Sequence, residues 1–195
     1  MTPDELLTTT RSVRKRLDLD RPVDLALVRE CLEIALQAPT GSNAQRWRWI
    51  VVTDETLRTA IGELYLRSWE AYSPADDTRL RSSADHLARN LARVPVLVIA
   101  ALELRGPELP EGSQASLWGS LLPAAWNYAL AARSRGLGTA WTTLHLRYER
   151  EVADLLGMPA NVRQGVMLPT AHTIGGTFRP AARRPLDEVL HVNGW

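Results

Sequence analysis

Residues 113–135 predict a helix with almost no polar side, and this limits the folds that are open to the chain. Apolar side chains recur through every turn of the segment, in spite of Pro123. They are Leu117, Trp118, Leu121, Leu122, Ala125, Trp126, Tyr128, Ala129 and Ala132. A helix that is apolar all round is buried in a protein core or in a subunit interface. The chain therefore has to cover this helix with its own elements or with a second subunit.

The rest of the pattern contains more helices than strands. Helical spacing and end signals predict helices over 22–38, with Pro22 in the first turn and Pro39 as the stop, and over 53–69, 76–93 and 147–156. Apolar and β-branched runs predict strands over 47–53, 94–102 and 163–174. A few strands scattered among helices predict an α+β fold, in one domain over residues 1–195, and not alternating βαβ units.

Bulk composition excludes several classes of protein. A net charge of +1 over 195 residues gives no general attraction to nucleic acid or to an acidic membrane. The single cysteine, Cys31, excludes an internal disulfide, and its apolar helical setting predicts a buried thiol. The longest apolar run, 94–102, is too short to span a bilayer, and residues 1–18 lack the apolar core of a signal peptide. We expect a cytoplasmic protein without a membrane or nucleic-acid partner.

Acidic residues are missing from long parts of the chain. None of the 22 Asp and Glu residues lies in 34–53, 112–148 or 155–186. The chain also has two cationic clusters: Arg11, Arg14, Lys15 and Arg16 near the start, and Arg179, Arg183 and Arg184 near the end, the last three within the window 155–186. Long charged side chains are usually solvated surface groups. Two arginine-rich clusters, however, also suit a phosphate, because the forked guanidinium donates to two oxygens at once.

The sequence motifs of several other kinds of metal, catalytic or dinucleotide site are absent. The four histidines, at 86, 145, 172 and 191, have no metal-ligand spacing, so we expect surface or helix-end groups and no metal site. There is no G-x-S-x-G elbow, and "GLGTAW" at 136–141 lacks a third glycine and follows a helix, which argues against a Rossmann dinucleotide site. Because no nucleophile with an evident base is present, a cofactor would have to carry any difficult chemistry.

The stretch "APTGSNAQRW", residues 38–47, joins a predicted helix to a predicted strand. Its side chains are small hydroxyls and amides, and Arg46 is its only charged group. Small residues let the backbone approach a ligand closely, and uncharged amides match neutral carbonyl and N–H edges. This composition favours a binding loop for a polar, uncharged ligand surface.

Four motifs in order resemble the FMN-dependent nitroreductase family. They are "TTRSVRKRL" near the start, "APTGSNAQRW", "GLGTAWTTL" from residue 136, and "RRPLDEVL" near the end, and together they span nearly the whole chain. The resemblance implies a nitroreductase-like α+β fold with a central, mostly antiparallel sheet flanked by helices. It also implies an intertwined homodimer in which two FMN molecules lie at the subunit interface, each held by both chains.

The resemblance implies twelve cofactor-binding residues. Arg11 and Ser12 resemble contacts to the phosphate and ribityl chain, Arg183 resembles a tail arginine at the phosphate, and Arg14 resembles the cation beside the N1/O2 edge that tunes the flavin. The loop residues resemble contacts to the ribityl chain or ring edge: Pro39, Thr40, Ser42, Asn43 and Gln45. The segment Trp141, Thr142 and Thr143 resembles the one that passes flavin N5, where a backbone N–H near 142 or 143 would hold N5.

The sequence departs from the family pattern in three places. Many relatives have arginine at Thr10, proline at Arg46 and an acidic residue at Thr143, which changes the expected phosphate site and the access to the ring. Region 65–92, with Tyr65, Trp69 and Tyr72, falls where the family varies most and where helices cover the substrate face. Substrate identity is therefore not carried over by the resemblance.

The resemblance implies an FMN-dependent NAD(P)H oxidoreductase. Hydride would pass from the nicotinamide to flavin N5, and two electrons would then pass to a nitroaromatic, a quinone or a similar small-molecule acceptor. No residue pattern selects NADH over NADPH. Three alternatives stay open: a specialised flavin enzyme such as a reductive dehalogenase or flavin-destroying oxygenase, a flavin-sequestering or regulatory protein with little turnover, and a structural dimer without cofactor.

Overall fold

The computed structural model describes residues 1–72 and 78–195. Its helices are α1 (Pro3–Thr9), α2 (Leu25–Ala35), α3 (Glu55–Glu70), α4 (Thr78–Asn90), α5 (Ala115–Ser134) and α6 (Glu149–Leu155). Its strands are β1 (Trp47–Val52), β2 (Val96–Glu103), β3 (Leu137–Thr139) and β4 (Val162–His172). The predicted helix 76–93 corresponds to α4, and its first two positions lie outside the described residues.

The four strands form one sheet in the order β1-β2-β4-β3, and every neighbouring pair is antiparallel. Ile99 in the middle of β2 pairs with Ile50 of β1 and with Met167 of β4. The register between β2 and β4 shifts by one residue between Ala100 and Ala101. The prediction of an α+β fold around an antiparallel sheet is therefore confirmed.

Both faces of the sheet are covered by helices. Alternate residues of β2, such as Val98 and Ala100, pack with α2 and α5, whereas Leu97 and Ile99 pack with α3, α4 and α6 on the other face. Strand β2 is buried from Val96 to Leu102 because it lies between two helical layers, as the continuous apolar run predicted.

Helix α5 confirms the prediction from its apolar composition. Leu121, Ala124 and Tyr128 are fully buried against the sheet, and α2 packs alongside. Trp126, on another side of the helix, is 36% exposed, so this large apolar side chain is only partly covered by the described part of the chain. No described helix is both long and apolar enough to cross a membrane.

The ends of α2 differ from the prediction. The helix begins at Leu25 because the Asp24 carboxylate caps it by accepting from the Ala26 N–H at 2.9 Å, and it ends at Ala35. Residues 36–38 continue as a turn and not as helix, so the predicted range 22–38 is too long at both ends. Cys31 is fully buried on this helix as predicted, and burial raises the pKa of its thiol to about 11.

Two short elements were not predicted. Helix α1 begins at a capping box in which Thr2 and Glu5 bond each other's backbone N–H groups, a signal that the sequence does contain. Strand β3 has only three residues and directly follows α5, where Gly136 adopts φ 79°. Three residues are too few to show a strand periodicity in the sequence, and the strand is recognised in the structure by its pairing with β4.

Candidate functional site

The cationic N-terminal segment lies along the β3 edge of the sheet. The Val13 N–H donates to the Thr139 carbonyl at 2.8 Å, and Leu17 bridges Thr173 further on. The Ser12 hydroxyl oxygen accepts from the Trp141 N–H at 2.9 Å. The chain thus brings "RSVR" at 11–14 against residues 139–142, although 129 positions separate Ser12 from Trp141 in sequence.

Segment 140–143 leaves the sheet edge with most of its polar groups already paired. The Thr142 N–H donates to the Met167 carbonyl at 3.1 Å, and the Met167 N–H donates to the Thr142 carbonyl at 2.9 Å. The Thr142 hydroxyl is bonded to the hydroxyl of the buried Tyr65 at 2.8 Å. The exposed Thr143 has no hydrogen-bond partner for its N–H in the described part of the chain. Of the three candidate N–H groups, only that of Thr143 is open to a ligand.

The arginines beside this segment lack acidic partners. The Arg11 guanidinium donates to the Arg179 carbonyl, and its Nε is buried without a partner among the described residues. None of the ion pairs formed by residues 1–72 and 78–195 includes Arg11, Arg14 or Arg183. Burial raises the pKa of the Tyr65 hydroxyl, and the nearby Arg14 charge opposes that rise. No ion pair among these described residues therefore neutralises the charge of Arg11 or Arg14.

The first part of the tail is held by arginines whose role the sequence did not reveal. Arg16 donates to the carbonyls of Ile174 at 2.8 Å and Thr177 at 3.0 Å. The ring of Phe178 contacts Arg16 and Arg133, whose guanidinium carbons lie 4.3 and 4.6 Å from its centroid. Desolvation and the Arg16 charge lower the pKa of Arg133. No sequence signal marks Arg133, because it lies within the apolar helix α5.

Arg183 does not reach this cluster in the single chain. Its side chain is exposed and donates at 3.4 Å to the carbonyl of Ala182, the residue before it. The predicted meeting of Arg183 with the phosphate contacts around Arg11 therefore stays a prediction.

Loop 38–46 has an unusual backbone. Its 3₁₀ turn, Gly41–Asn43, is followed by Gln45, and Ser42, Asn43 and Gln45 have φ of 52°, 51° and 47°. The Thr40 hydroxyl accepts from the Gln45 N–H at 3.1 Å, and the Asn43 side-chain oxygen accepts from the Gln45 amide at 2.9 Å. Positive φ is costly for residues other than glycine, and such strain concentrates at functional sites. The loop thus presents exposed polar side chains in a fixed arrangement.

The loop and the cationic segment lie at opposite edges of the sheet. Loop 38–46 leads into β1, whereas Ser12 and Thr142 lie beside β3 and β4. Three strand spacings separate the two edge strands, which is about 14 Å. Within one chain, the structure therefore brings Arg11, Ser12, Arg14 and residues 141–143 together, and keeps Pro39, Thr40, Ser42, Asn43 and Gln45 apart from them.

Three residues of region 65–92 differ in exposure. Tyr65 and Trp69 are buried, with 2% and 8% of their surface exposed, and the Trp69 indole donates to Asp85 at 3.1 Å. Tyr72 is exposed. Of these three aromatic residues, only Tyr72 is open to a substrate in the single chain. Residues 73–77 of this region lie outside the described ranges.

His145 corrects the prediction that every histidine is a surface or helix-end group. It lies in a 3₁₀ turn, Leu144–Tyr148, has no exposed surface, and both ring nitrogens lack partners among the described residues. Burial lowers the pKa of its imidazole to about 4. The reason is tertiary: the turn packs against α3, and no local pattern in the sequence signals this.

Gly138 permits the close approach of the N-terminal segment to β3. A Cβ at this position would lie 2.6 Å from the Thr173 methyl carbon and 3.2 Å from the Val13 Cβ. We expect Gly138→Ala to lower the free energy of unfolding by about 1 to 3 kcal/mol, because the added methyl overpacks this contact. Gly106→Ala is the control, since its Cβ would have no atom within 4 Å. Urea unfolding of both variants measures the difference, and equal stabilities would contradict the prediction.

These features define an α+β protein whose cationic candidate site lies at one edge of an antiparallel sheet. The sequence profile of the nitroreductase family matches residues 7–172, and the chain belongs to that family.

Known relatives include both deiodinases and nitroreductases. An iodotyrosine deiodinase from Thermotoga neapolitana is 30% identical over 165 residues, which cover 82% of this chain and 81% of that protein. The structure of an oxidized iodotyrosine deiodinase bound to FMN and 3-iodo-L-tyrosine superposes with a TM-score of 0.74 at 25% identity, covering 98% of both chains. An FMN- and NADPH-dependent nitroreductase from Sphigopyxis sp. strain HMH superposes over 100% of both chains with a TM-score of 0.77 at 22% identity, which shows a shared fold.

Proposed function

We propose that the chain is an FMN-dependent oxidoreductase that accepts hydride from NADH or NADPH and delivers two electrons to a nitroaromatic, a quinone or a similar acceptor. The observation that carries the proposal is the Arg11 side chain, whose buried Nε has no partner among the described residues and lies in a site without a paired acid. A buried donor without a partner costs free energy unless a ligand satisfies it. The phosphate of FMN is an anion of suitable chemistry.

The donors around Arg11 fit the remaining parts of FMN. The Ser12 oxygen accepts from Trp141, so its own proton is free to donate to a phosphate or ribityl oxygen. Thr143 keeps an open N–H for flavin N5, and Arg14 supplies a positive charge beside the same segment. Arg183 would add a second cation at the phosphate. Arg11, Ser12, Arg14 and Thr143 are thus the contacts that this chain offers on the β3 side.

A second copy of the chain would complete the site. Pro39, Thr40, Ser42, Asn43 and Gln45 lie at the β1 edge, about 14 Å across the sheet from the β3 edge that carries Ser12. The loop of a partner subunit would supply these polar groups, and an interface over α5 would also cover the exposed Trp126. We therefore infer a homodimer with two equivalent sites, each built from the β3 edge of one subunit and the β1 loop of the other.

The protein's part in the chemistry is to bind, orient and tune. Bound FMN would supply reversible hydride acceptance at N5 and two-electron transfer to the acceptor. The Arg14 guanidinium would offset negative charge at the N1/O2 edge, and the Thr143 N–H would hold N5 in register. Thr143 stands where many relatives have an acidic residue, so this edge of the site carries less negative charge than it does in those relatives.

Titration of the folded protein with FMN tests the proposal directly. We expect saturable binding at micromolar concentrations or below, followed by bleaching of the bound flavin under anaerobic NADH or NADPH. Steady-state oxidation of the nicotinamide with a nitroaromatic or quinone then completes the cycle. If the folded protein does not bind FMN, the proposal is contradicted. Binding without nicotinamide oxidation, with every acceptor, would favour a flavin-sequestering protein instead.

Arg14 is expected to raise the midpoint potential of the bound flavin, because only the reduced form carries substantial negative charge at N1/O2. Arg14→Ala should lower the two-electron potential by roughly 20 to 45 mV, which corresponds to about 1 to 2 kcal/mol in a partly dry site. Arg150→Ala, on the exposed surface of α6, is the control and should leave the potential unchanged. Potentiometry on flavin-saturated protein measures both, and an unchanged or raised potential in Arg14→Ala would contradict the assigned role.

Reductive dehalogenation is a second candidate, favoured by the similarity to the deiodinase from Thermotoga neapolitana. Reduced protein would then release halide from a halogenated aromatic substrate. Iodide release from 3-iodo-L-tyrosine, compared with reduction of a nitroaromatic at equal concentration, separates the two candidates. Faster turnover of the iodinated compound would favour the dehalogenase.

A further inference from the structure

Two buried tyrosines of this fold make the same kind of hydrogen bond in different places. Tyr65 of α3 is 2% exposed, and its hydroxyl lies 2.8 Å from the Thr142 hydroxyl. Tyr128 of α5 is fully buried, and its hydroxyl lies 3.0 Å from the Thr170 hydroxyl. The two tyrosines belong to core clusters on opposite faces of the sheet. Only the Tyr65 bond reaches the segment that carries the open Thr143 N–H.

Residues 141 and 142 are held from three directions. Ser12 holds the Trp141 N–H, the Met167 backbone holds both backbone groups of Thr142, and Tyr65 holds the Thr142 side chain. The position of the Thr143 N–H follows from these contacts, because it is the next donor along the chain. Burial raises the pKa of the Tyr65 hydroxyl, so it stays protonated and keeps this bond through the neutral range.

The Tyr65 hydroxyl also links α3 to Thr142 by a side-chain hydrogen bond. Without the hydroxyl, the buried Thr142 side chain would lose its partner and would have to turn toward another acceptor. The segment would then keep only backbone anchors at 142 and 143, namely the Met167 bonds to Thr142 and the Leu146 N–H, which donates to the Thr143 carbonyl at 3.0 Å, beside the Ser12 bond to Trp141.

We propose that Tyr65 is a positioning residue for the flavin reaction, which acts through Thr142 to aim the Thr143 N–H at flavin N5. This inference rests on the proposed function, since it requires bound FMN. Oxidised flavin accepts a hydrogen bond at N5, whereas reduced flavin carries a proton there and accepts poorly. A well-aimed N–H therefore stabilises the oxidised form. Weakening this hydrogen bond should therefore raise the midpoint potential, whereas the loss of Arg14 should lower it.

The test compares Tyr65→Phe with Tyr128→Phe in the flavin-loaded protein. Both variants remove one buried hydroxyl bonded to a threonine, so both should lose stability, and Tyr128→Phe should lose less because Thr170 keeps its bond to the Leu168 carbonyl at 2.8 Å. Only Tyr65→Phe should raise the midpoint potential, and it should weaken FMN binding about threefold to tenfold. Thr142→Val removes the other half of the same hydrogen bond while keeping a β-branched shape, and it should reproduce the shift. It also serves as the second variant if Tyr65→Phe fails to fold.

The outcomes separate the inference from the proposed function. Failure of the unsubstituted protein to bind FMN would defeat the proposed function and, with it, this role. Normal FMN binding, with a potential in Tyr65→Phe that is lowered or equal to that of Tyr128→Phe, would overturn the role of Tyr65 alone. A raised potential in both Tyr65→Phe and Thr142→Val, with none in Tyr128→Phe, would support it.

Discussion

Lowering the pH from 7 to 4 is expected to remove about 3 kcal/mol of stability through His145 alone. Burial lowers the pKa of this imidazole to about 4 in the folded chain, whereas an unfolded chain has a histidine pKa near 6.5. Between these values the unfolded state binds a proton that the folded state does not. The contribution is fully present above about pH 6.5 and is lost progressively as the pH falls toward 4.

The His145→Leu variant isolates this effect. Leucine has a similar volume and no ionisable group, so its unfolding free energy should depend less on pH between 7 and 4. At pH 7 the variant should be as stable as the natural chain or more stable, because both imidazole nitrogens lack partners among the described residues. His191→Leu is the matched control, since this histidine is exposed in the tail. Urea unfolding at several pH values and one protein concentration gives the comparison. Identical pH profiles for His145→Leu and His191→Leu would contradict the prediction.

Mixed dimers are expected to recover FMN binding that each parent variant has lost. Arg11→Ala removes a charge-assisted contact and should weaken FMN binding by about 10- to 100-fold. Asn43→Ala should also weaken it, because it alters a polar loop residue held at φ 51°. If each site combines Arg11 of one subunit with loop 38–46 of the other, a mixed dimer contains one intact site and one doubly altered site.

Co-expression with two affinity tags isolates the mixed dimer, and flavin absorbance gives its cofactor content. We expect about one FMN per mixed dimer and almost none in either parent. Binding that stays absent in the mixed dimer would mean that Arg11 and the loop serve the same site from one chain. Arg150→Ala paired with Asn43→Ala is the control, and its mixed dimer should also bind about one FMN, whereas the Arg150→Ala parent should bind two.

Sequence alone predicted those elements in which one local signal dominates. The apolar run around 94–102 predicted β2 because a strand covered on both faces needs no polar alternation. Helix α5 was predictable from its lack of a polar face, and α3 from its helical spacing over 53–69, whereas the structure shows that Asp54 is its N-cap. The three-residue strand β3 was missed because the segments that pair with it, β4 and residues 12–13, lie more than 20 residues away along the chain.

The kinds of chemical group in the candidate site could be predicted from the sequence. Which of these groups are free to bind a ligand could not. Acid-free windows, arginine clusters and a polar uncharged loop are properties of the residues themselves, so the sequence alone predicted a site for an anionic, partly neutral ligand. Tertiary structure decided that the Trp141 and Thr142 N–H groups are already paired and that Thr143 is open. It also buried His145 and placed Arg11 and loop 38–46 at opposite edges of the sheet. The physical reason is that these outcomes depend on contacts between distant positions, such as Tyr65 with Thr142 across 77 residues, which no local periodicity encodes.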